Sequence, residues 1–251
     1  DKYFIPFIRP NQNGNFSTRE KQDIMPENNL NMYPVPQILT NKAEDFLQTA
    51  EKLEAYGYKE INLNLGCPSK TVISKMRGSG FLAYPDELEQ FLDEIFRKCK
   101  LEISIKTRIG KESPDEFVRL LDIYNKYQMK ELIIHPRVQK DFYKNHPNKD
   151  VFAEALKKSK NPICYNGDIF TKNDYEEFRK EFPTVDLLNK YRNTLFDRCK
   201  QHLKYMSSEE NHRSTQQYFL ASLHCSFLFP DFPDGKLAGK TAAFCGSHDI
   251  A

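Results

Sequence analysis

The sequence predicts an α/β fold of the barrel type, and three observations carry that prediction. Between residues 3 and 186, short apolar or β-branched runs alternate with longer segments of helical spacing, the pattern of βαβ units around a parallel sheet. Polar side chains stand at the C-terminal ends of five strands. This suits a (β/α)8 TIM-type barrel, which builds its site from strand ends and the loops after them. Finally, no G-x-G-x-x-G follows the first strand, so an open doubly wound dinucleotide fold lacks its fingerprint.

Taken in chain order, strands are expected at Tyr3–Ile8, Val35–Leu39, Glu60–Leu65, Glu102–Thr107, Glu131–His135, Pro162–Asn166 and Val185–Leu188. The polar, Asn-rich stretch from Pro10 to Pro34 reads as a long loop with a short helical turn. Phe46, Leu47, Ala50 and Leu53 recur on one helical face. Pro85-Asp86-Glu87 opens the next helix, and Leu88, Phe91, Leu92, Ile95 and Phe96 mark its buried side. Ser113-Pro114-Asp115-Glu116 reads as a cap followed by an acidic first turn. Phe152, Ala153, Ala155 and Leu156 mark a further helix, and Tyr175 with Phe178 another, capped by Thr171. After residue 186 the rhythm changes to two helices, Leu188–Met206 and Gln216–Phe229, and a tail rich in Gly, Ala and Pro. The expected organisation is a barrel domain over 1–186 and a helical region over 187–251.

Composition narrows the function classes. With 39% hydrophobic residues, 19 Phe and 13 Tyr, the 251-residue chain has the bulk for a core, which excludes disorder throughout. No run approaches the roughly 18 apolar residues of a spanning helix, so no membrane partner is expected. A net charge of +2 excludes a strongly basic nucleic-acid coat but leaves room for local cation clusters. Six cysteines lie far apart in sequence, at 67, 99, 164, 199, 225 and 245, which points to a reducing, cytoplasmic compartment. Cys199, His202, His212, His224 and Cys225 match no closed zinc-site spacing, and no metal is expected. Oligomeric state is not legible, a monomer being the simplest expectation.

The chemistry sits at the strand ends. In Asn64-Leu65-Gly66-Cys67-Pro68-Ser69, Gly66 and Pro68 force a stiff turn that would hold Cys67 at the barrel mouth. A thiol there serves as nucleophile, as proton donor, or as a buried structural cysteine. Lys106 ends SIKTRIG, and a lysine in a barrel mouth is costly unless it meets an anion or a polarised carbonyl. His135 ends IIHPR, with Arg137 two residues on. Asn166-Gly167-Asp168 ends the next strand, and Gly167 lets backbone approach a ligand. A lysine, a histidine and an Asn-Gly-Asp turn at successive strand ends suit a phosphorylated, electron-accepting cofactor lying across the mouth. Arg97-Lys98-Lys100 and Lys157-Lys158-Lys160 close helices and complement their dipoles.

INLNLGCPSK, ISIKTRIG, IIHPR and YNGDI, in this order and with VPQIL and GSGFL, resemble the bacterial tRNA-dihydrouridine synthases. The resemblance covers residues 1–186. It implies an FMN-bearing (β/α)8 barrel, a C-terminal helical region that helps hold tRNA, and reduction of uridine to dihydrouridine with NADPH as electron donor. By that resemblance Cys67 protonates uracil C5 while hydride reaches C6, and Asn64 binds the flipped base, with Arg137 near the substrate. Gln37, Lys106, His135, Asn166, Gly167 and Asp168 match flavin contacts, and Lys70, Lys75 and Arg77 would meet tRNA phosphates. Two departures accompany it. YFIPFI matches the family's second strand, and Val185-Asp186 runs into Leu187-Leu188-Asn189-Lys190 without the Gly-Arg-Gly turn that binds FMN phosphate. Together with the start at Asp1, this leads us to expect a first strand and the end of an eighth outside this sequence. The competing readings are a non-catalytic tRNA-binding protein and an FMN barrel enzyme acting on a small pyrimidine.

Overall fold

A computed structural model of the chain describes residues 2–11, 15–30, 33–169 and 171–185. Its strands are β1 (Lys2–Phe4), β2 (Tyr33–Val35), β3 (Gln37–Ile38), β4 (Glu60–Leu65), β5 (Glu102–Arg108), β6 (Leu132–His135) and β7 (Ile163–Tyr165). All pairings are parallel, β1 with β2, and β3 through β7 in sequence order. The helices are α1 (Thr18–Ile24), α2 (Ala43–Ala55), α3 (Lys70–Ile73), α4 (Pro85–Lys98), α5 (Glu116–Tyr124), α6 (Lys149–Lys158) and α7 (Lys172–Glu181). This is an incomplete (β/α) barrel. The expected strand at Val185–Leu188 falls almost wholly outside the described residues, as do the expected helical region over 187–251 and its Cys and His residues.

Two expected strands are shorter than their apolar runs, for one reason. Pro36 has no N–H to donate, so the run Val35–Leu39 splits into β2 and β3. The register against the first strand slips by one residue between Phe4↔Val35 and Ile8↔Ile38, which leaves Ile8 in an isolated bridge. Pairing resumes at once, with the Ile8 amide donating to Gln37 O at 2.7 Å and the Leu39 amide to Ile8 O at 2.9 Å. The helix expected from Ser113 begins later, at Glu116. The Glu116 carboxylate accepts from the amides of Lys111, Glu112 and Ser113 at 2.7–2.9 Å, so it organises the turn that a Ser113 cap was expected to hold. Thr171 does cap α7, in a reciprocal box with Asp174.

Period-two alternation sorts β4 and β5 into two faces. Ile61, Leu63, Leu65, Ile103 and Ile105 join the core under the helices. Within it Phe91 of α4 meets Phe46 and Phe81 edge-on at 6.1 and 5.5 Å. α4 carries Asp86 and Glu87 in its first turn and Arg97 and Lys98 in its last, which complements its dipole. The intervening residues of β4 and β5 are polar and stack in layers. At the strands' N-terminal ends Lys2 bonds Glu60, at 2.6 Å, and Glu131. In the middle, Asn62 donates to Ser104 at 3.0 Å. At the C-terminal ends Asn64 and Lys106 stand side by side on the ladder. Two buried carboxylates around one ammonium close the pole opposite the site.

Candidate active site at the strand ends

Asn64 organises the loop that carries the thiol. Its Oδ1 accepts from the amides of Gly66 and Cys67, each at 3.0 Å, and its Nδ2 donates to Gln37 Oε1 at 2.6 Å. Gln37 Nε2 in turn donates to Asn62 Oδ1 at 2.8 Å. A buried amide thus turns the chain at Gly66 and leaves Cys67 half-buried at the mouth. The far end of the loop returns to the same residue. Ser79 donates to Cys67 O through its amide at 3.1 Å and its hydroxyl at 2.9 Å. Gly78 makes this closure possible. Its φ is +55, and a Cβ there would lie 2.7 Å from Cys67 O.

Lys106 lies directly beneath this turn, since a Cβ on Gly66 would sit 3.7 Å from its Nζ. Among the described residues it makes no hydrogen bond or ion pair. Burial, followed by the like charge of Arg108, pulls its pKa from 10.5 down to about 8. A half-buried cation with nothing to neutralise it fits an anionic or electron-rich ligand at the mouth. Such a ligand has the chemistry of the phosphorylated, electron-accepting cofactor expected from the sequence.

The structure brings His135, Arg137 and Asp168 together. Arg137 is 3% exposed. One of its terminal nitrogens contacts His135 Nε2 at 3.0 Å and Asp168 Oδ1 at 2.8 Å, and the other pairs with Asp168 Oδ2. Its remaining donors meet the carbonyls of Lys144 and Asn145 at 2.7–3.1 Å. The guanidinium, expected near substrate, is therefore spent on tying the loop after β6 to the loop after β7. With Arg137 donating, Nε2 of His135 is the acceptor, so the neutral ring carries its proton on Nδ1. Gly167 has a steric reason to be glycine: a Cβ there would lie 2.3 Å from the Tyr165 hydroxyl. The Asn166 amide donates to Ile134 O at 2.9 Å, which fixes the start of this turn. Lys70 and Lys75 are exposed around α3, whereas Arg77 is half-buried and its Nε reaches Asn41 Oδ1 at 3.5 Å.

Sequence reasoning missed Arg108 and Tyr143. Arg108 is 1% exposed and donates to Gly66 O at 2.9 Å and Val138 O at 3.1 Å, so it straps the Cys67 loop to the loop after β6. It also lies 5.4 Å from the ring of Tyr143, whose exposed side chain reaches over His135. Period two was the available signal for Arg108, because a residue two beyond Lys106 shares its face. Tyr143 follows Phe142, which is itself in a left-handed conformation with φ 51, and no local pattern announces it.

Residues 11–187 match the dihydrouridine synthase (Dus) family. The chain belongs to that family. It is similar to tRNA-dihydrouridine synthase B of Pasteurella multocida, 28% identical over 127 residues, which is 50% of this chain and 38% of the relative. A probable tRNA-dihydrouridine synthase of Staphylococcus aureus is 32% identical over 141 residues, 54% of this chain and 42% of that protein. Another tRNA-dihydrouridine synthase B, from Vibrio vulnificus, is 26% identical over 135 residues, covering 53% of this chain and 40% of the relative. The chain thus spans about two-fifths of the length of these curated relatives. Among the described residues of this Dus chain, no His, Cys, Asp and Glu cluster is arranged to hold a metal ion, and no helix is long and apolar enough to cross a membrane.

Proposed function

We propose that this chain carries the catalytic centre of a tRNA-dihydrouridine synthase, a flavin-dependent oxidoreductase acting on tRNA in the cytoplasm. The observation that carries the reading is the unpartnered Lys106 ammonium beside the Asn64-ordered Cys67 turn, in a chain of the Dus family. Gln37, Lys106, His135 and the Asn166–Asp168 turn would hold FMN, with Lys106 facing its electron-rich part. The hydride for uracil C6 is the chemistry that bound FMN, recharged by NADPH, supplies. Cys67 Sγ gives its proton to C5 from a thiol held in place by two loop closures. Asn64 aligns the base, which must leave its stack to reach this depth. Arg137 acts by positioning His135 and Asp168. Lys70, Lys75 and Arg77 meet the RNA backbone.

The test is dihydrouridine formation in tRNA by the purified full-length protein with NADPH. Cys67→Ala is expected to keep bound flavin and its reduction by NADPH while dihydrouridine formation falls by roughly 10²–10⁴-fold. Colourless protein that makes no dihydrouridine refutes the proposal. Turnover of free pyrimidines without RNA would assign the site to small molecules instead.

A further inference from the structure

The turn that ends β7 holds a chemically labile bond. Asn166-Gly167 is the one Asn-Gly pair among the described residues. With no Cβ on the glycine, its amide nitrogen lies open to the preceding carboxamide, and asparagine is among the thermolabile residues. The hydrogen bonding of the turn leaves that nitrogen available. The Asn166 amide donates to Ile134 O at 2.9 Å and the Ile169 amide to Gly167 O at 2.8 Å, whereas the Gly167 amide makes no hydrogen bond among the described residues. Asn166, Gly167 and Asp168 are all partly exposed, so water reaches them. The buried asparagines of the barrel lack this route. Asn62 and Asn64 precede leucines, and Asn161 precedes a proline, which has no N–H to lose. Nor can another residue replace Gly167 cheaply. The Tyr165 hydroxyl that would meet its Cβ belongs to a ring packed on Phe152 and Phe178, at 4.8 and 4.2 Å.

The reaction needs only water. The Gly167 nitrogen loses its proton and bonds to Asn166 Cγ, the carboxamide C–N bond breaks, and ammonia leaves with a proton. Water then opens the imide at either carbonyl, which gives aspartate or isoaspartate. Neither step changes an oxidation state. Both products place a carboxylate at position 166, two residues from Asp168, which already pairs with Arg137. Isoaspartate also adds one carbon to the main chain, between the bond to Ile134 O and the bond to Gly167 O. A new negative charge and a lengthened turn both oppose a phosphate-bearing ligand at this strand end.

We propose that Asn166 is a site of spontaneous deamidation, active in the flavin-free protein and blocked when flavin lies against the Gly167 amide, so that a chain left without cofactor loses its capacity to take it up. The protection rests on the flavin reading above; the labile bond does not. The test divides flavin-stripped full-length protein, reloads one half with FMN, and keeps both in mildly alkaline buffer. Unchanged far-ultraviolet circular dichroism shows that stripping leaves the chain folded. Peptide mapping over time then follows a gain of about one mass unit at Asn166. Asn13-Gly14, in the same chain, is the internal reference. Asn166 is expected to convert in the flavin-free sample, and excess FMN to slow it roughly 10–100-fold while Asn13 is unaffected. Converted protein, separated by charge, is expected to bind FMN at least about tenfold more weakly. Asn166→Gln, whose longer side chain closes a ring slowly, is expected to form none of the acidic product. Conversion at Asn13 with none at Asn166 in flavin-free protein overturns the proposal. Equal conversion of Asn166 with and without bound FMN also overturns it and leaves the synthase reading intact. Protein that takes up no flavin refutes that reading and, with it, the protection.

Discussion

Replacing Lys106 by methionine removes a half-buried cation and keeps most of its length. Its folded pKa of about 8, against 10.5 when unfolded, means that the fold opposes the charged form. At about 1.4 kcal/mol per tenfold change in proton affinity, the cost is about 3.5 kcal/mol, and residual contact with water reduces it to roughly 2–3. The sign follows from the depressed pKa. Below pH 8 both states are protonated and the whole penalty is present. It shrinks between pH 8 and 10.5, as the folded state has lost a proton that the unfolded state still binds, and it vanishes above 10.5. Lys106→Met is therefore expected to be more stable than wild type at pH 7, with the gap narrowing by roughly 2 kcal/mol by pH 10. Urea midpoints of both proteins at each pH measure the difference and cancel other groups that titrate in this window. A gap independent of pH refutes the reasoning. An anionic ligand against the same ammonium restores its charge, so flavin affinity should fall as the pH rises past about 8.

Three further outcomes are expected. Asn64→Ala removes the acceptor of two amide bonds and the donor to Gln37, which should cost roughly 2–4 kcal/mol. The loosened turn should also speed alkylation of Cys67, read by a chromogenic disulfide. Gly78→Ala forces a side chain into a left-handed position 2.7 Å from Cys67 O, so a loss of about 2 kcal/mol or more is expected in thermal melts. Asp168→Ala leaves the buried Arg137 guanidinium without its carboxylate and should cost roughly 2–4 kcal/mol, whereas Asp168→Asn recovers part of this. Equal melting temperatures for the two Asp168 variants would show that a neutral acceptor recovers nothing and would refute this expectation.

How much was legible varied with the range of the interaction. The strand–helix rhythm, the face of α4 and the α7 cap follow from contacts within a few residues, and the structure shows each of them. The helix expected from Ser113 starts later because the only backbone amide the Ser113 hydroxyl reaches is that of Asp115, at 3.3 Å, while the Glu116 carboxylate three residues on gathers three amides of the turn. The split at Pro36 was readable from proline chemistry alone, but the one-residue slip at Ile8 depended on which strand lay alongside.

The sequence by itself determined which residues reach the barrel mouth. Alternation along a parallel strand sends every second residue to one face, so Asn64, Lys106 and His135 had to finish their strands near one another. Only the tertiary structure decided how those residues are used. It joined Arg137 to Asp168 across 31 positions and Arg108 to the Gly66 carbonyl across 42, and among the described residues it left Lys106 without a hydrogen-bond partner and Gln139 Oε1 buried without one. The physical reason is that hydrogen bonds and ion pairs are satisfied between loops brought together by the sheet, and local spacing does not record which loops those are.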